Sequence, residues 1–271
     1  MSVARAERHD VSVKKPSAAA TFLSRISTLW LVELRKLSHD RTELFTRAIQ
    51  PALWLLIFGE TFTRIHAIPT GGVRYLDYLA PGIMAQSAMF IAIFYGIVTI
   101  WERDAGVLAK LMATPTSRSA LVVGKAFAAS VRAIAQVIVV LVLSLILGVH
   151  LDSNGFHLLM AFILVVLGVG FFTTLSISVA GLALKQERLM GIGQAITMPL
   201  FFGSNALYPV KLMPRWLQVI SHVNPLTYMV DGLRVMLIRT SGHVAFDLIV
   251  LIAWLVAGIA VAAKLLPRLV R

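Results

Sequence analysis

The chain has 271 residues, 58% of them hydrophobic and only 14% charged, with a mean hydropathy of +0.82 and a formal net charge of +12. A soluble domain keeps roughly 25% charged residues to solvate its surface, so a water-solvated globule is excluded and lipid must be the solvent over much of this chain. Cysteine is absent, which removes structural disulfides, thiolate metal sites and a catalytic cysteine. The Lys and Arg residues fall in the gaps between apolar runs and build no continuous basic face, so no nucleic-acid partner is expected.

Residues 1–20 read as a flexible polar arm. They contain no apolar h-region, so the N-terminus is expected to stay in the cytoplasm. Over residues 21–43 the pattern becomes helical. Phe22, Ile26, Leu29, Trp30, Leu34 and Leu37 recur at threes and fours with Glu33 among them, while Arg25, Arg35 and Lys36 occupy other faces. This is the signature of an amphipathic helix lying in the membrane interface.

Residues 44–271 then hold six apolar stretches, at about 48–64, 79–101, 126–149, 158–184, 189–207 and 246–266. Most reach the ~20 residues needed to cross a bilayer. The fold class is therefore all-α and polytopic, with six transmembrane helices. Orientation follows from the basic residues in the gaps. Eighteen fall on the side of the N-terminus, six on the other, and Arg132 lies inside the third stretch, which places both termini in the cytoplasm. Arg132 has a stem long enough to snorkel toward the headgroups. Glu60 is either an outer-interface residue or a partner of Arg64, its i+4 neighbour.

Residues 208–245 are too apolar for an ordinary loop and are broken by Pro209, Pro214 and Pro225. Two short helices are predicted, over 213–222 and 224–239, with Asn224 capping the second and Pro225 at its first position. They form either a re-entrant hairpin before the last span or a pair of helices flat on the surface.

The most informative loop is residues 101–115. It opens with mixed charges and continues into a short amphipathic helix, with Val107, Leu108 and Leu111 expected on one side and Asp104 and Lys110 in water. Pro115 is expected to end it. Such a helix is either a lever for a soluble partner or a solvated connector.

Three motifs carry a resemblance. They are YLDYLAPG from Tyr75, the stretch from Trp101 to Ala126, and the run from Tyr208 through MPRWL to NPLTY, followed by Asp231, Gly232, Leu233 and Arg234. In this order they resemble the permeases of type-2 ABC exporters, including those for daunorubicin-like drugs. The resemblance implies six spans after an interface helix, a second permease (identical or similar), and a cytoplasmic ABC ATPase docked on each. It implies a bacterial or archaeal cytoplasmic membrane and export of a drug- or antibiotic-like compound, or of a glycolipid, lipooligosaccharide or polysaccharide precursor. The family's coupling helix maps onto Glu102, Arg103, Asp104, Gly106, Leu108, Leu111 and Pro115. Its external re-entrant motif maps onto Asn224, Pro225, Tyr228, Asp231 and Arg234.

The translocation path it implies runs between spans two and five, where Gln86, Ser87, Tyr95, Thr99, Gln194 and Thr197 are the candidate lining groups. Polar residues in spans also serve simply to join helices. Met84, Met89, Met190 and Met198 are either an adaptable apolar surface or core filler.

ATP and Mg²⁺ are expected on the partner ATPase and no cofactor on this chain. A phosphate loop needs G-x-x-x-x-G-K-[ST]. The single Gly-Lys, Gly124-Lys125, is followed by Ala126 and has Ser119 where the first glycine belongs. No metal site is expected, since the seven His residues show no ligand spacing. A membrane-embedded lipid-modifying enzyme is the rival class. It needs carboxylates clustered at one depth, and no Asp or Glu lies between Asp152 and Glu187 or between Glu187 and Asp231.

Overall fold

The computed structural model describes residues 41–65, 68–114, 116–152 and 154–269. The arm expected at 1–20, nearly all of the interface helix expected at 21–43, and Pro115 lie outside them. The described residues are helical, without a strand, as their apolar periodicity requires. The first helical rod comprises α1 (Arg41–Leu53), a π-helical turn (Trp54–Gly59) and α2 (Glu60–Ile65). Pro51 removes a rung of the ladder just before that π turn. Next come α3 (Tyr75–Asp104), the short α4 (Val107–Met112), α5 (Arg118–Ile146) and α6 (Gly155–Ala183). The chain finishes with α7 (Gln186–Phe202), α8 (Arg215–Val223), α9 (Pro225–Ile238) and α10 (Val244–Leu265).

Four of these helices, α3, α5, α6 and α10 with its 3-10 extension to Leu269, are long and apolar enough to cross a membrane. At ~1.5 Å per residue, the 30 residues of α3 reach about 45 Å, more than the ~30 Å hydrocarbon core. Burial separates their roles. In the most apolar window of α3, 83% is buried inside the protein, against 11% for α10. So α3 is the hub, packed on α5, α6, α7 and α9, while α10 packs on α6 and leaves its outer face open.

The helices approach closely where side chains are small. A Cβ on Gly96 would collide with Ser176 Oγ, and that hydroxyl instead accepts from the Gly96 amide at 3.0 Å and donates to the Ile93 carbonyl. Such small-residue seams supply the van der Waals contact that the hydrophobic effect cannot supply in lipid.

One predicted element is corrected and one is found as predicted. The fifth stretch, expected to run to residue 207, ends at Phe202, and residues 203–209 are not helical. Pro199 lies in its last turn, and the apolar residues beyond serve as buried loop packed on α3. The pair of short helices is present as α8 and α9. Asn224 caps α9 by accepting from the Leu226 amide at 3.0 Å, with Pro225 at its first position.

Candidate functional site

Two polar assemblies sit at opposite ends of α3. At its C-terminal end, the helix stops at Asp104 and Gly106 turns the chain with φ +69°, a left-handed conformation suited to glycine. α4 follows for six residues. Leu108 is fully buried, in a cluster with Ile97 and Ile100 of α3, Val122 of α5, Ile177 of α6 and Leu266 beyond α10. Val107 and Leu111 are 42% and 36% exposed. The three were expected on one side; instead Leu108 anchors the helix and Val107 and Leu111 face outward, because the residue between them is the one turned to the bundle.

Charged groups fasten this end further. Glu102 pairs with Lys125, which is itself buried on α5. Arg103 donates to the Leu184 carbonyl at 2.6 Å and to Asp104 at 2.7 and 2.9 Å. Leu184 is a left-handed residue (φ 58°) that ends α6, and it leaves a carbonyl in need of a donor. Trp101 Nε1 donates to Gln186 Oε1 at 3.0 Å, at the start of α7. Thus α4 and the residues before it are tied to α5 and to the α6–α7 junction. Asp104 itself stays exposed.

At the other end of α3, Arg234 of α9 is 4% exposed. Its guanidinium donates to the carbonyls of Asn205 (2.7 Å), Ala206 (3.1 Å) and Tyr78 (3.2 Å), and lies 3.5 Å from the Tyr78 ring centroid. Tyr75 and Tyr78 hydroxyls donate to the carbonyls of Leu207 (3.0 Å) and Asn205 (3.3 Å). Gly82 leaves room for the Ala206 backbone, which a Cβ would strike. The non-helical segment after α7 therefore has its carbonyls satisfied by protein, the condition under which irregular backbone is tolerated at membrane depth. Asn205 Nδ2 donates to Asp231 at 2.5 Å, Asp231 is 3.9 Å from Arg234, and the Tyr228 hydroxyl donates to the His222 carbonyl at 2.5 Å. Asn224 Nδ2 also holds the Leu200 carbonyl at 2.6 Å. Pro225, Tyr228, Asp231 and Arg234 thus share α9, and Asn224 caps it.

The same end is laced at the connections between long helices. Asp152 accepts from Arg239 at 2.6 Å, pairs with His157, and its amide donates to the Leu237 carbonyl at 2.7 Å. The Arg239 hydrogen bond, with a smaller share from His157, holds the Asp152 carboxyl well below the usual carboxylate range. Glu60 pairs with Arg74 at 3.3 Å.

Between the two ends lie cavities. One, of about 410 Å³, opens between α1, α3 and α5 and is lined by Gln50, Gln86, Ser87, Phe90, Phe94 and Gln136, among others. A second, of about 310 Å³, shares Phe94 and contains Tyr95, Trp101 and Arg132, whose guanidinium carbon is 5.8 Å from the Tyr95 ring centroid. Of the predicted path residues, Gln86 and Ser87 share the first cavity and Tyr95 lines the second. Thr99 is fully buried with no hydrogen-bond partner for its hydroxyl, and Thr197 donates to the Gly193 carbonyl of its own helix at 2.6 Å. Gln194 is exposed. These last three do not join the first two. Met84 and Met89 are fully buried, whereas Met190 and Met198 are 46% and 38% exposed. Sequence reasoning missed Gln136 and the Lys125 partner of Glu102, whose only signal is a polar residue within an apolar helix.

A helical bundle with four helices long and apolar enough to cross a membrane, a braced short helix at one end of α3 and a buried arginine at the other, defines the class: a multi-pass membrane protein. The family model described as "ABC-2 type transporter" matches residues 24–238. The chain is 31% identical over 226 residues to "Putative transport permease ycf38" of Cyanophora paradoxa, covering 82% of this chain and 78% of that one. It is 25% identical over 260 residues to the daunorubicin resistance ABC transporter permease protein DrrB1 of Streptomyces coeruleorubidus, covering 95% and 89%. To nodulation protein J of Sinorhizobium fredii it is 29% identical over 212 residues, covering 73% and 75%. The chain belongs to the ABC-2 type transporter family, as a permease.

Proposed function

We propose that this chain is the membrane-spanning subunit of an ABC exporter. It moves an amphipathic or lipophilic compound out of the cytoplasm, driven by ATP hydrolysed with Mg²⁺ on a separate ATPase chain. In this reading the first helical rod and α7 complete a set of six spans, and α8–α9 form a hairpin re-entering from outside. The termini and α4 face the cytoplasm, in a bacterial or archaeal cytoplasmic membrane. Two such permeases, identical or similar, pair in the membrane.

The observation that carries the reading is the bracing of α4. Leu108 roots it in the core, while Glu102–Lys125, Arg103–Leu184 and Trp101–Gln186 tie the end of α3 just before it to α5, α6 and α7. Val107, Lys110 and Leu111 remain outward for a motor to grip. Closure of the ATPase pair around ATP pushes on that surface, and the braced helices tilt as units between two packed arrangements. A drug-like cargo is favoured by the similarity to the daunorubicin permease over 95% of the chain. A glycolipid or lipooligosaccharide precursor is the second reading.

The test is co-purification with the cassette ATPase in nanodiscs. ATP hydrolysis should rise when both chains are present and rise again with a transported amphiphile. Failure of the two chains to associate, or hydrolysis indifferent to this subunit, overturns the assignment.

A further inference from the structure

Helix α8 turns an apolar stripe away from the protein. Its inner side is fixed. Ser221 is fully buried with its hydroxyl 3.2 Å from that of Thr227 on α9, and Gly203, just past the end of α7, leaves room for Leu217 and Ile220. On the outer side Trp216, Val219 and Val223 are 66%, 66% and 58% exposed, at i, i+3 and i+7 of one helical face. Water is a poor solvent for such a stripe, and a helix anchored along its other side cannot fold it away.

The depth of α8 identifies what meets the stripe. Helix α7 starts at the α4 end of the bundle, where Gln186 accepts from Trp101. Its 17 residues rise about 25 Å at ~1.5 Å per residue. Helix α8, packed at the end of α7, therefore sits near the far boundary of a ~30 Å hydrocarbon core and not out in water beyond it. That boundary is where tryptophan is enriched in membrane proteins.

Charge narrows the partner further. The sequence holds no Asp or Glu between Glu187 and Asp231, whereas Lys211 and Arg215, at the approach to α8 and its first residue, are both exposed. A short helix with an apolar face, a tryptophan and adjoining cations complements a bilayer surface that bears negative phosphates. A second copy of this chain complements it less well, since a two-fold contact through this face brings the same cations toward each other.

We propose that α8 lies along the outer face of the membrane, with Trp216, Val219 and Val223 sunk among the acyl chains and Lys211 and Arg215 holding the phosphates of anionic phospholipids. It fastens the outer limb of the α8–α9 pair to the leaflet, while α9 stays within the protein. Which leaflet it is rests on the exporter reading; the anchor itself depends on the span geometry.

The test uses Val219→Cys, an exposed position in a chain with no other cysteine, carrying one environment-sensitive NBD fluorophore. The labelled chain is placed with its ATPase in nanodiscs of phosphatidylcholine and phosphatidylglycerol. The fluorophore should emit as in an apolar medium, resist aqueous iodide, and be quenched by lipids with a doxyl group high on the acyl chain. Doxyl phosphatidylglycerol should quench as strongly as an about tenfold higher mole fraction of doxyl phosphatidylcholine, the worth of two near-surface cations partly screened by salt. Lys211→Gln with Arg215→Gln should erase that preference and leave quenching by doxyl phosphatidylcholine unchanged. All three substitutions are at exposed positions, so folding is not at stake. Quenching by iodide puts the stripe in water and overturns the proposal. So does a fluorophore shielded from both iodide and lipid, which means that protein covers it, and so does equal quenching by the two lipids with Lys211 and Arg215 intact. ATPase bound to a chain whose fluorophore meets water removes the anchor and leaves the exporter reading standing. A lipid-quenched fluorophore on a chain that binds no ATPase does the reverse.

Discussion

Replacing Arg234 with Met tests whether the non-helical segment after α7 is held to α3 and α9 by one guanidinium. The side chain is 4% exposed and donates to three carbonyls, those of Tyr78, Asn205 and Ala206. The Tyr78 carbonyl lies in the first turn of α3, where the helical ladder already supplies it a donor, and the Asn205 carbonyl retains the Tyr78 hydroxyl, so the Ala206 carbonyl is hit hardest. An orphaned buried acceptor costs ~1–3 kcal/mol, and the weakened acceptors add a fraction each. Loss of stacking on Tyr78 adds ~1–2 kcal/mol. Against this, Met removes the desolvation penalty of a buried cation. The net is about 3 kcal/mol, which at ~2–4 °C per kcal/mol lowers the melting midpoint by roughly 6–12 °C. Tryptophan fluorescence during heating in nanodiscs reads it directly. Lys at 234 keeps the charge but not the planar fork, and should recover less than half the loss. A midpoint unchanged in the Met variant, or full rescue by Lys, refutes the reasoning.

Three further outcomes follow from the same geometry. Leu108→Ala empties a fully buried site and should destabilise by ~2–4 kcal/mol, while Leu111→Ala should stay within about 0.5 kcal/mol yet impair substrate-stimulated ATP hydrolysis; thermal melts and hydrolysis assays on both variants separate the roles. Lys125→Ala should leave Glu102 without its cation and cost ~2–3 kcal/mol, the partial exposure of Glu102 being allowed for, and the exchange of Glu102→Lys with Lys125→Glu should restore part of the stability lost in either single variant, measured by a double-mutant cycle of melting midpoints. Because the Asp152 carboxyl is held low by Arg239 and His157, its contribution is full at neutral pH and is lost as pH falls below about 4; melting midpoints of Asp152→Asn should be lower than those of the unmodified chain at pH 7 and converge with them in acid.

Much of the architecture is legible in the chain itself because it depends on local repetition. Apolar length marks α3, α5, α6 and α10, and the Asn224-Pro225 pair marks the start of α9 to the residue. What is hidden depends on distant pairs. The Arg234 guanidinium and the Tyr78 carbonyl are 156 residues apart, and Glu102 and Lys125 are 23 apart across a turn. No periodicity encodes either. Residues 203–209 mislead for a related reason, since Ala206, Leu207 and Tyr208 are apolar enough for a span but are buried or half-buried as loop against α3. Leu108 and Leu111 read alike by spacing, and only the shape of the bundle assigns one inward and one outward. The polar path residues divide in the same way. Gln86 and Ser87 meet Gln50 and Gln136 in a cavity, while Thr197 turns its hydroxyl back onto its own helix.

In the proposed function α4 is a cytoplasmic handle for an ATPase. The chain has no cysteine, so Lys110→Cys, at an exposed position of α4, introduces a single thiol without background. A membrane-impermeant maleimide should label it in inside-out vesicles and not in right-side-out ones, and bound ATPase should protect it. Labelling from the outer face, or labelling unaffected by the ATPase, contradicts the account.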